Sequence, residues 1–110
     1  MKSATILLLA FLSTSVPSFG GPKVLEIGTK PESVCRGFGG KIYVTMINGS
    51  EPGDGEVKVL DAKNEKATVF AKGLNNPKGI AFVGGFLVTA DETVVRKIDK
   101  NGKVSTIAEA

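Results

Sequence analysis

The 110 residues contain no histidine and no tryptophan, and a single tyrosine and a single cysteine. Without histidine, Ser/His/Asp triads, Cys/His dyads and imidazole metal sites are all excluded. Without tryptophan, and with only Tyr43, the means of stacking sugars or bases on aromatic faces is nearly absent. The basic residues are interspersed with acidic ones, so no strand or face carries the basic stripe of a nucleic-acid footprint. Cys35 has no partner for an internal disulfide. It is therefore either a buried thiol or a link to another chain, and its apolar strand favours burial.

The first 20 residues read as a secretory leader rather than as fold. Lys2 supplies a positive charge, Ala4 to Leu12 is apolar apart from Thr5, and Ser18-Phe19-Gly20 places small residues at cleavage spacing. The apolar run is too short to span a bilayer, which needs about 20 residues. The expected product is secreted or periplasmic, with no membrane contact after cleavage. Its 14 basic and 11 acidic side chains become 13 and 11 once Lys2 leaves, a balance that selects no partner.

What the chain does have is a repeat. Lys72 to Asp91 reads as a turn, a strand entered through Pro77-Lys78-Gly79, a Gly84-Gly85 hairpin and a second strand ending at Asp91. An earlier copy begins at Pro31-Glu32-Ser33-Val34, turns at Gly39-Gly40 and continues as Ile42-Tyr43-Val44-Thr45. Further on, Val57-Lys58-Val59-Leu60-Asp61 matches Val95-Arg96-Lys97-Ile98-Asp99, and Phe70-Ala71 matches Ile107-Ala108. A period of roughly 40 to 45 residues is that of propeller blades. The expectation is an all-β chain of two four-stranded antiparallel blades, part of a six-bladed propeller.

The expected divisions are a leader over 1–20, an N-terminal strand within 21–30, a first blade over 31–76 and a second over 77–110. Strands are expected at Val24–Ile27, Ser33–Arg36, Lys41–Ile47, Glu56–Leu60 and Lys66–Ala71, then at Gly79–Val83, Phe86–Ala90, Thr93–Ile98 and Val104–Ala108. With strands alternating in direction, one rim collects Glu32, the loop from Asn48 to Glu56, Asn75, Asn76, Lys78, Asp91 and Glu92. Asn75, Asn76, Lys78 and Asp91 are the candidate ligand-binding residues of that rim, for a small molecule or a protein. Glu32 and Lys78 occupy matching places in the two units and are expected to pair. Asn48-Gly49-Ser50 is a glycosylation sequon if the chain is secreted by a eukaryote.

At Pro31-Glu32-Ser33-Val34, Gly40-Lys41-Ile42-Tyr43-Val44-Thr45 and Gly73-Leu74-Asn75-Asn76-Pro77-Lys78-Gly79-Ile80-Ala81, the sequence resembles the gluconolactonase and regucalcin-like (senescence marker protein) propellers. It also resembles the NHL-repeat proteins. The resemblance implies a divalent metal, such as Ca²⁺, in a central channel, where it polarises a lactone and activates water. Glu32 matches the family's metal-binding Glu, with Ser33-Val34 in place of the usual Gly-Pro. Lys78 stands where a metal-binding Asn often precedes Gly, and an ammonium group has no lone pair for a metal.

Two functions are therefore expected: a non-catalytic binding or scaffolding module, and alternatively a metal-dependent lactone hydrolase whose other ligands lie on further blades. Two blades alone leave apolar faces uncovered. The chain is thus expected to be part of a longer product, to form a ring of three copies, or to survive as a small sandwich.

Overall fold

The computed structural model describes residues 4–8, 23–61, 63 and 65–109. Ten strands follow in chain order: β1 (Ala4–Leu8), β2 (Lys23–Gly28), β3 (Pro31–Arg36), β4 (Ile42–Met46), β5 (Gly55–Asp61), β6 (Lys66–Leu74), β7 (Pro77–Val83), β8 (Phe86–Asp91), β9 (Val94–Ile98) and β10 (Val104–Glu109). A single 3-10 turn at Phe38–Gly40 joins β3 to β4. The protein is all-β. Two four-stranded antiparallel sheets, β3-β4-β5-β6 and β7-β8-β9-β10, are each a meander in which every strand pairs with its neighbour in sequence.

The nine strands expected after residue 20 are all present, with ends shifted by no more than about three residues. Their boundaries follow from turn chemistry. Gly39, Gly40, Gly84 and Gly85 all have positive φ at the tight connections, conformations that cost glycine little. β2 pairs with β1, antiparallel, rather than with either four-stranded sheet. The cleavage motif Ser18-Phe19-Gly20 lies outside the described residues.

The two sheets stack face to face. Tyr43, Val57, Ala71 and Leu74 of the first form one buried cluster with Leu87 and Ile98 of the second. The opposite face of the first sheet packs Val44, Met46 and Leu60 against Ile27 of β2, flanked by Leu25, Ile42 and Ala67. Alternation along each strand thus gives the first sheet two covered faces. The rings of Phe38, Tyr43, Phe70 and Phe82 close one end of the interface, with Phe38 meeting Phe82 edge-on at 5.0 Å between centroids and Tyr43 meeting Phe70 at the same distance.

The ladders reveal the repeat more finely than the letters do. Pro31 pairs with Met46 and Arg36 with Ile42 in the first sheet; Pro77 pairs with Asp91 and Phe82 with Leu87 in the second. Ile42 opposes Leu60, and Leu87 opposes Ile98. Structurally, then, Ile42 corresponds to Leu87, Val44 to Thr89 and Met46 to Asp91. The last strand of each sheet bulges at a matching point, at Phe70 between Val69 and Ala71 of β6 and at Ile107 between Thr106 and Ala108 of β10.

Candidate functional site

The rim residues converge on Asp91. This carboxylate ends β8 and is the buried charged side chain among the described residues. Asn75 N–H donates to its Oδ1 and Oδ2 at 3.0 and 3.1 Å, and Asn76 N–H donates to Oδ1 at 2.7 Å. Arg96 Nε donates to Oδ2 at 3.0 Å, making an ion pair. Arg96 Nη1 then reaches Thr106 Oγ1 on β10 at 2.7 Å. One side chain therefore satisfies the two free backbone donors of the linker between the sheets and fixes an arginine whose other end grips the outermost strand. Charge-assisted bonds of this kind are the stronger class.

Around that centre the rim is closely knit. The Asn75 side-chain oxygen accepts from Gly53 N–H at 2.8 Å, and the Asn76 amide donates to Glu92 Oε2 at 2.6 Å. The β4–β5 loop is cross-braced by Asn48, whose amide nitrogen donates to the Asp54 carbonyl at 2.8 Å and to Glu56 Oε1 at 3.2 Å. That nitrogen is the acceptor atom of the sequon, and it is already engaged. Asp54 Oδ2 accepts from Glu51 N–H, while its buried Oδ1 has no partner. Gly55 lies directly beneath the linker, where a Cβ would stand 2.6 Å from Pro77 Cδ and 2.9 Å from the Leu74 and Asn75 carbonyl oxygens.

Glu32 and Lys78 behave differently. Both side chains are exposed, and the expected ion pair between them is not formed. Lys78 is tied into the structure through its backbone, its carbonyl accepting from Thr45 Oγ1 at 2.8 Å across the sheet interface. The two residues sit on β3 and β7 with exposed side chains, so water competes successfully for both charges. Among the described residues no group of three or more His, Cys, Asp or Glu side chains is placed to hold a metal ion. Glu32 alone is not a ligand set for a hard cation, which takes six to eight oxygens.

Arg96 was not among the rim residues expected from sequence, and the repeat carries the signal that could have found it. Lys58, its counterpart on β5, also reaches back to the strand before its sheet, donating to the Ile27 carbonyl at 2.6 Å. In each unit a basic residue on the third strand secures the incoming chain. The first unit has Met46 where the second has Asp91, so Lys58 bonds the backbone directly.

Three titrations are displaced. Burial raises Cys35, which is half-buried rather than sequestered. Burial and then the neighbouring Cys35 raise Tyr43. At the β9–β10 turn, the N–H groups of Lys103 and Asn101 hold Asp99 below its ordinary value.

No protein-family model matches the chain, and neither does any curated protein or solved structure.

Proposed function

We propose that the chain is an exported, non-catalytic binding or scaffolding module built from two propeller-type blades of gluconolactonase-like or NHL-like form. The observation that carries this reading is the Asp91 network. In a hydrolytic site a buried carboxylate presents a free oxygen to a metal, water or substrate. Both oxygens of Asp91 instead accept bonds from the linker and from Arg96, which serves to join the two sheets. The face-to-face stacking and matched ladder registers support the blade interpretation. The rim residues left exposed, Lys78 and Glu92 with the β4–β5 loop, offer charged and amide groups to a small molecule or protein.

A calcium titration followed by thermal unfolding tests the choice of class. The binding-module reading predicts the same midpoint with and without Ca²⁺, in the wild type and in Glu32→Gln. A Ca²⁺-dependent rise that Glu32→Gln abolishes would restore the metal-dependent lactone hydrolase.

A further inference from the structure

The sequence has two Asn-Gly pairs, Asn48-Gly49 in the β4–β5 loop and Asn101-Gly102 in the β9–β10 turn, and the fold treats them differently. An asparagine amide can be attacked by the backbone nitrogen of the residue that follows it, and glycine hinders that attack least because it carries no Cβ. At the β9–β10 turn the nitrogen is spent, since Gly102 N–H donates to the Asp99 carbonyl at 2.9 Å. Gly49 N–H makes no hydrogen bond among the described residues. The loop itself demands glycine there, because a Cβ would stand 2.8 Å from Asp54 Oδ2.

What restrains Asn48 is its own side chain. Nδ2 donates to the Asp54 carbonyl at 2.8 Å and to Glu56 Oε1 at 3.2 Å, and the backbone is held in the left-handed region at φ +64°. This brace works only with a donor. An oxygen in place of Nδ2 would face a carbonyl and a carboxylate with no hydrogen to offer either, and as an aspartate it would repel Glu56 as well.

We propose that Asn48 is a site of spontaneous covalent modification, hydrolysed through a cyclic imide when the β4–β5 loop opens, and that the product cannot close the loop again. The steps balance with water alone. Gly49 N gives its proton to water and bonds to Asn48 Cγ; the Cγ–Nδ2 bond breaks, and the nitrogen takes a proton from water and leaves as ammonia. Water then opens the imide at either carbonyl, giving aspartate or, with the chain rerouted through Cγ, isoaspartate. The effect reaches the linker between the sheets, because Gly53 N–H in the same loop donates to Asn75 Oδ1 at 2.8 Å and Asn75 N–H is bonded to Asp91. The modification thus adds a negative charge to the rim and frees the loop from the linker.

The test ages the full unaltered chain in mildly alkaline buffer, folded and in urea, then digests it after glutamate, which places Asn48 in the peptide 33–51 and Asn101 in the peptide 93–109. The mass gain of an amide turned to a carboxylate should accumulate faster at Asn48 than at Asn101 in the folded chain, and at similar rates in urea. Glu56→Ala removes one arm of the brace, and should speed the reaction at Asn48 of the folded chain by roughly fivefold or more while leaving Asn101 unchanged. Asn48→Asp makes one product directly: amide exchange at Gly53 should accelerate, with the amides inside β4 and β5 still protected. Modification of the folded chain first at Asn101 would overturn the choice of site, and an unchanged rate in Glu56→Ala would overturn the brace. A Gly53 amide as well protected in Asn48→Asp as in the wild type would overturn the claim that the product holds the loop open.

Discussion

Asp91 shows how far a single residue can be read from sequence. Its place at the end of a strand suggested that it lies near Asn75 and Asn76, whose N–H groups it does meet, but position alone does not distinguish a ligand-binding carboxylate from one that caps backbone donors. The distinction lies in Arg96 and in the two linker N–H groups, which only the fold brings together. Asp91→Ala would leave those donors and the guanidinium without their acceptor, and should destabilise the chain by about 3 kcal/mol in denaturant unfolding. Asp91→Asn retains the shape yet loses the charge, and should recover only part of that loss. Cys35 gives a second residue-scale expectation. With burial raising its titration, little thiolate is present near neutral pH, so Cys35 should react slowly with a thiol reagent in the native chain and quickly after unfolding.

At the scale of strands and turns, most of the fold was legible because glycine, proline and asparagine mark the connections while β-branched residues fill the strands. Register was not. Thr45 and Thr89 look equivalent as letters, whereas the ladders set Val44 against Thr89, because the first connection uses a 3-10 turn where the second uses a two-glycine hairpin. A one-residue difference of this kind reverses which face a side chain serves. β1 was also hidden, since an apolar run beside a charged terminus has the composition of a leader as much as of a strand.

The β9–β10 turn carries an acid-sensitive element. Asp99 accepts from Asn101 and Lys103 as a carboxylate, and its titration is lowered. Its contribution is therefore complete above the ordinary carboxylate value of about 4 and is lost as pH falls through the lower folded value. Amide exchange at Asn101 and Lys103, corrected for intrinsic rate, should accelerate in that acid window. Gly102 in the same turn has φ +84, and a Cβ there would collide with the Phe70 carbonyl of the first sheet, so the turn is also a point where the sheets touch.

For the whole molecule, the two four-stranded sheets depend on the apolar seam between them, beside the separate cluster under β2, since each meander alone has too little buried surface to persist. Leu87, wholly buried in that seam, is the sensitive position: Leu87→Ala should cost about 3 kcal/mol through the cavity it opens, and should lower the unfolding of both sheets together. The Asp91 network then sets how the seam is joined, holding the linker between Leu74 and Pro77 against the end of β8. The most direct measurement is native-state hydrogen exchange at Asn75 and Asn76, compared between the wild type and Asp91→Ala. Strong protection in the wild type that collapses in the variant, with the amides inside each sheet less affected, is the predicted result; linker amides that already exchange freely in the wild type would contradict the idea that Asp91 joins the two sheets.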